Sequence, residues 1–216
     1  WTLTGTKTLV ENAHVADYLL VPARTGQRAS SEQGITLFWV DATSPNIQID
    51  KLETLSGEHH SQVQFNGVRV PSENVIGQVD GAWPLLNLFL QKGAALCCFQ
   101  MVGGFQKVLD LTIEYVKNRI QFGRPLGTLQ VVQQACANMA ADVDGTRYST
   151  YKALWSLGEG LPSSLEVAAA KAWASESVER VCANAHQAHG SMGFTQEYDL
   201  QLFTRRLRSW EIAFGD

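Results

Sequence analysis

The hydrophobic period of this chain changes once, near Gly81, and that change decides what it can fold into. Before it, apolar residues come in short alternating runs: Trp1 to Val10, Tyr18 to Ala23, Ile35 to Asp41, Ile47 to Ile49 and Gln62 to Val70. A strand turns the same face up at every second residue, and Gly, Ser, Asn and Pro clusters separate the runs. Within the last of them, the Asn66-Gly67 pair suits two successive positive φ angles, so the spacing predicts a tight hairpin there. After Gly81 the apolar residues recur at three and four, the period of a helix packed on one face.

Trp83-Pro84 opens a first helix running to about Asn118, with Val102, Phe105, Leu109, Ile113 and Val116 on one stripe. A second, from about Leu126 to Leu157, carries Leu129, Val132, Cys136, Met139 and Val143. Ser163 and Glu166 predict a capping box for a third helix that continues to Gly190, and a fourth starts near Thr195 with Leu200, Phe203, Leu207, Trp210 and Phe214 on its apolar face. The expected fold class is α+β: a partial antiparallel β-barrel or sandwich domain over 1–80, then an antiparallel four-helix bundle over 81–216.

Composition excludes several classes of partner. The 216 residues are 45% hydrophobic and carry a net charge of −4, which gives a sizeable core and no electrostatic reason to bind nucleic acid. Arg205, Arg206 and Arg208 read as a solvated or partner-facing helix face. Cys97, Cys98, Cys136 and Cys182 have no metal-ligand spacing and are expected to be reduced, three of them in the core. With no leader-like segment and no uninterrupted apolar run of bilayer length, the expectation is a cytoplasmic protein without a membrane span. The chain opens on strand-like alternation at Trp1, and a fragment, or a chain lacking its N-terminal part, is expected.

Two polar runs do not fit the core pattern. Arg119-Ile-Gln-Phe-Gly-Arg-Pro-Leu-Gly-Thr-Leu-Gln-Val and Gln187-Ala-His-Gly-Ser-Met-Gly-Phe each combine glycines with polar side chains at a helix end. Helix ends offer unpaired N–H groups to an anion, glycine admits a ligand close to the backbone, and arginine is a permanently charged fork of donors. That chemistry suits a phosphate-bearing cofactor. His186 and His189 have no carboxylate or cysteine in phase and read as polar helix-end residues, so no metal is expected. His59-His60 reads as an exposed loop or subunit contact, and Trp39, Trp173 and Trp210 as core or interface packing.

In that order, a β segment ending in Phe65-Asn-Gly-Val-Arg-Val-Pro-Ser-Glu-Asn-Val-Ile-Gly, a long helix, Arg119-x-x-Phe-Gly-Arg-Pro with Gln130, and Gln187-x-His-Gly-x-x-Gly-Phe-Thr, the chain resembles the acyl-CoA dehydrogenase family of flavoproteins. The resemblance covers the whole chain. It implies a homo-oligomer, a tetramer or a dimer of dimers, or a heteromer with a homologous subunit. FAD would be shared between chains, with an acyl-CoA substrate and an electron-transfer acceptor, in lipid metabolism of the fatty acid β-oxidation type. It also implies that Arg119, Phe122, Gln130, Gln187 and Gly190 contact FAD, with Ser191 standing where the family has a second glycine.

In the family's reaction a glutamate takes the α-proton of the thioester while the β-hydrogen leaves as hydride to the flavin. Its two glutamate positions fall here on Phe214 and Gly93, neither of which can hold a proton, and the family's first-helix arginine falls on Ala94. The nearest carboxylates are Glu211 and Asp216, considered as displaced bases. The flavin-stacking tryptophan and hydrogen-bonding threonine fall on Leu9 and Glu11. Three readings follow: a catalytic FAD-dependent acyl-CoA dehydrogenase, a non-catalytic FAD-sharing partner subunit, or a flavin-free structural homologue.

Overall fold

A computed structural model describes residues 1–26 and 32–215, which divide into two compact units, Trp1–Phe89 and Leu90–Asp216. Among the described residues the first unit holds six strands: β1 (Thr2–Glu11), β2 (Tyr18–Arg24), β3 (Ile35–Asp41), β4 (Ile47–Leu52), β5 (His60–Arg69) and β6 (Val75–Ile76). They form two antiparallel sheets ordered β1-β5-β4 and β2-β3-β6. One core joins the sheets, with Leu3, Val63, Phe65 and Val68 from the first packed with Leu19, Val21, Phe38 and Val40 from the second. The five sequence runs are therefore the five long strands.

The predicted hairpin at Asn66-Gly67 is not there. β5 runs straight through it, and Gly67, at φ +75°, is an extra residue between the pairs Leu3↔Val68 and Thr4↔Asn66. This is a β-bulge, and it shifts the inward-facing set from Ser61, Val63 and Phe65 to Val68 and Val70. The positive φ that Asn-Gly supplies serves a bulge as readily as a turn; the flanking partners β1 and β4 decide which.

The second unit is helical. α1 (Trp83–Asn118) begins in the first unit and continues into it; a two-stranded ribbon β7 (Ile120–Gln121) and β8 (Arg124–Pro125) leads to α2 (Gln130–Gly158), α3 (Ser164–His189) and α4 (Leu200–Ile212). Met101, Phe105 and Val108 of α1, Met139 and Val143 of α2, Ala174, Val178 and Val181 of α3, and Leu200 and Leu207 of α4 share one buried core. Asp142 pairs with Arg180 while Lys152 pairs with Glu166, so α2 and α3 run antiparallel. Cys97, Cys98 and Cys182 are buried, whereas Cys136, expected on the apolar stripe of the second helix, is half-buried; burial pushes the Cys98 and Cys182 thiols up to about 12.

Three helix details differ from expectation. Ser163 caps nothing with its side chain; its hydroxyl donates to Gln91 Oε1 instead (3.2 Å), since a long-range partner outcompetes the local one. The fourth helix begins at Leu200, because a 3₁₀ turn over Gly190–Phe194 follows α3 first. And α1 is long and apolar enough to cross a membrane by length and composition alone, with an 18-residue window of mean hydropathy 1.4, a third of it buried in the protein. Scattered polar residues such as Gln91 and Lys92 interrupt the run without lowering the mean below that of a span.

Candidate functional site

At the C-terminal end of α1 the Arg119 N–H still donates to the Tyr115 carbonyl (2.8 Å), and the Arg119 carbonyl then accepts from Leu126 N–H (2.9 Å), which closes the β7–β8 ribbon. Its two turn residues, Phe122 and Gly123, sit at φ +54° and +74°. Two left-handed residues make the kind of tight turn that twists with its strands, so the hairpin expected at Asn66-Gly67 has its counterpart here. Phenylalanine is a poor choice for such a place: its Cβ costs about 1–2 kcal/mol in the left-handed region. Its ring is 84% exposed, so the core gains nothing in return. The strained position makes Phe122 a candidate for contact with a ligand.

The ribbon and a 3₁₀ turn deliver the chain to Gln130, first residue of α2, whose N-cap Leu129 supplies no side-chain bond and whose first turn holds no acidic residue. The positive end of that helix dipole is left without local compensation. A groove of about 770 Å³ opens beside it, lined by Gln130, Gln134 and Asn138 of α2 and by Asn184, Gln187 and Ala188 of α3. Gln130 and Gln187, separated in sequence, thus share one groove. Arg119 and Phe122 stand exposed on the ribbon outside its lining, and Gly190 and Ser191 lie in the turn that follows α3. Gly190 ends α3 at φ +59°, ψ −138°, a backbone state that a side chain disfavours. A Cβ on Gly193 would come within 3.1 Å of His186 Nδ1, so that turn also closes tightly on α3.

The donor set fits the adenine and diphosphate half of a dinucleotide. Amides that both donate and accept match a purine edge, Val131, Val132, Ala135 and Ala188 offer apolar surface to a flat ring, and the uncapped α2 terminus suits an anion.

The positions expected to meet the flavin ring are different in kind. Leu9 is the extra residue of a second bulge in β1, between Lys7↔Val63 and Val10↔Ser61, at φ +58° and 56% exposed. The bulge turns side chain 9 outward, but leucine lacks the aromatic face. Glu11 is an acceptor only, with Oε1 3.9 Å from His60 Nε2.

The two expected glutamate positions, far apart in sequence, meet in the fold. A Cβ on Gly93 would lie 2.5 Å from Phe214 Cε1, so the Phe214 ring fills the space a side chain at 93 would take. Phe214 itself has φ +60° just beyond α4. Beneath it the buried Lys171 ammonium donates to Ser175 Oγ (2.7 Å), Glu211 O (2.8 Å) and Gly215 O (2.5 Å), gathering the carbonyls at the helix end. Ala94 is buried in the bundle core. Glu211 directs its carboxylate to Arg208 Nη1 (3.0 Å), and Asp216 lies outside the described residues.

Sequence reasoning missed Lys171, Tyr115 and Tyr198. Only a lysine in phase with Ala170 and Ala174 signalled the first, and nothing local signals the aromatic pair. His186 and His189 face separate neighbours: His186 stacks on Phe194 (4.5 Å) and meets Thr204 Oγ1 (3.3 Å), whereas His189 lies between Tyr115 and Tyr198.

Two family profiles match the chain: acyl-CoA dehydrogenase, middle domain, over residues 1–68 and acyl-CoA dehydrogenase, C-terminal domain, over residues 81–216. The chain is 36% identical to a glutaryl-CoA dehydrogenase of Desulfococcus multivorans, covering 100% of this chain and 56% of the relative. It superposes on the solved glutaryl-coenzyme A dehydrogenase glutaryl-CoA complex with TM-score 0.94 at 31% identity, over 100% of this chain and 55% of that one. It superposes on the ChsE4-ChsE5 complex of Mycobacterium tuberculosis with TM-score 0.89 at 30% identity, over 99% and 56%. The chain therefore spans little more than half the length of these proteins.

Proposed function

The chain belongs to the acyl-CoA dehydrogenase family, and from that premise we propose that it serves the FAD-dependent α,β-dehydrogenation of an acyl-CoA thioester as a subunit that holds the adenine and diphosphate of FAD and leaves proton abstraction to a homologous, glutamate-bearing chain. The family is FAD-dependent in general. When bound, the flavin supplies the acceptor for the β-hydrogen, taken as hydride. This chain's part is binding. Arg119 would neutralise diphosphate charge, Gln130 and Gln187 would hold the adenine edge across the groove, and Phe122 would pack on the cofactor.

The observation that carries the reading is the contact between Phe214 and Gly93. α-Proton abstraction needs a carboxylate beside the substrate in a dry pocket, and here both places for one are apolar and filled by a single ring. Leu9 and Glu11 support the same division, because neither reproduces the stacking or the neutral hydrogen bond expected beside a flavin ring. A related solved structure is a complex of two named proteins, which makes a two-chain assembly a reasonable arrangement for this one.

The second reading, a chain catalytic by itself, is favoured by its 36% identity to a named dehydrogenase. The visible spectrum separates the two. The full-length protein is purified alone and with a glutamate-bearing homologue, then titrated with a panel of acyl-CoAs. Flavin bleaching only in the presence of the partner is expected. Bleaching by any thioester without the partner overturns the accessory role, and no yellow colour in either preparation overturns FAD binding.

A further inference from the structure

Arg119 and the Gln187–Gly190 segment end different helices, and three aromatic rings join those ends. His189, 3% exposed, is the last residue of α3. Its Nδ1 lies 2.8 Å from the Ala185 carbonyl, which can only accept, so Nδ1 carries the proton and Nε2 is left to accept from the Tyr198 hydroxyl at 3.2 Å. The imidazole stacks on Tyr115 at 4.4 Å between centroids. Tyr115 has two further links: its hydroxyl donates to the His189 carbonyl (3.4 Å), next to Gly190, and its own carbonyl accepts from Arg119 N–H (2.8 Å). One side chain thus touches the last residue of α3 while its backbone holds the arginine at the end of α1.

Resting on the proposed nucleotide-binding role, we infer that Tyr115, His189 and Tyr198 are positioning residues, a neutral aromatic clasp that sets Arg119 against the Gln187–Gly190 turn so that both meet one nucleotide. None of the three needs to touch the ligand. The clasp favours an uncharged imidazole, since protonation at Nε2 turns the Tyr198 hydroxyl from donor to acceptor and leaves a charge buried between two rings. Burial holds the His189 imidazole below the ordinary histidine value, with His186 on the same helix adding to that effect and the Ala185 carbonyl opposing it. Tyr115 packs against the ring from α1, and Tyr198 approaches from the segment before α4, with Glu114, Tyr115 and Asp199 close to its hydroxyl. Because the folded value is lowered, the clasp is intact at neutral and higher pH. It weakens as pH falls through the ordinary histidine value toward the lowered one.

The test follows backbone amide resonances of Arg119 and Gly190 together with the His189 ring in the assembled protein as pH is lowered. In the unaltered protein the three are expected to titrate with one midpoint. Tyr198→Phe keeps the packing and removes the hydroxyl bonded to Nε2, which as an acceptor serves the imidazolium more strongly than as a donor it serves the neutral ring, so the shared midpoint should fall by about 0.4–1 pH unit. The pH at which FAD fluorescence is released should fall with it. Amides that ignore the His189 titration, or a Tyr198→Phe midpoint equal to the original, overturn the clasp. Tyr115→Phe, which keeps the stack, should leave the midpoint near its original value and guards against a mere folding defect. Co-titrating amides in a protein that takes up no FAD would support the clasp while removing the nucleotide reading.

Discussion

Two stations along α1 invite comparison. Gly93 and Arg119 lie on or just beyond one helix, roughly 39 Å apart at 1.5 Å per residue. At the Arg119 end the chain accepts strain and exposure: a left-handed Phe122, an uncapped α2 terminus and an amide-lined groove, none of which adds to the core. At the Gly93 end a left-handed aromatic residue recurs, Phe214 at φ +60° and half exposed, but here the ring is packed. A ring from the far end of the sequence lies in the notch of a glycine, and a buried lysine ties down the turn that carries the ring. In the proposed role, cofactor binding is kept at the first station and proton abstraction is closed at the second.

The largest expected effect tests whether the two stations share one core. Phe105→Ala, at a fully buried position on α1, should cost about 3–5 kcal/mol in chemical denaturation and unfold both ends in one transition. Two separate transitions would break the comparison. Arg119→Ala should weaken FAD by about 1.5–3 kcal/mol, a tenfold to hundredfold rise in Kd by fluorescence quenching, with the thermal midpoint unchanged. Unchanged flavin occupancy would remove Arg119 from the site.

Gly93→Ala should give the mirror image, about 1–3 kcal/mol of lost stability from overpacking against Phe214 and no change in FAD affinity. The loss should be relieved in a Phe214→Ala background, and a cycle without coupling would show that the ring is not seated there. The smallest effect has two signs. Phe122→Gly relieves the left-handed strain and should stabilise the fold by a few tenths to about 1 kcal/mol while lowering FAD affinity. A variant that loses stability would mean that Phe122 serves the fold and not the ligand.

The sequence was readable where structure is local. Five strands and four helices follow from periods of two and about 3.6, because each element buries one face and the period records which. It was misread where one local conformation serves two architectures. Gly67 of Asn66-Gly67 supplies positive φ to a bulge, and Phe122-Gly123, with the usual glycine only at its second position, makes the tight hairpin. Ser163 was misread for a related reason, since a capping box is a local preference and Gln91 offers a partner from another helix. Of the expected site, the two runs at helix ends were visible because polar residues and glycines interrupt an apolar pattern. Tyr115, Tyr198 and Lys171 were hidden because an aromatic or a lysine on a helix looks the same whether it faces solvent, core or a partner.

What residue order alone determined here is the succession of elements, the family, and the identity of the side chains at each station, including the absence of a carboxylate at 93 and 214. What only the folded chain decided is adjacency: that Gly93 and Phe214 are one place, that Gln130 and Gln187 border one groove, and that Tyr115 spans from Arg119 to His189. The physical reason is range. Backbone preference and amphipathic period act over a few residues, whereas a notch filled by a ring or a stack between helix ends exists only after packing has brought distant segments within van der Waals reach.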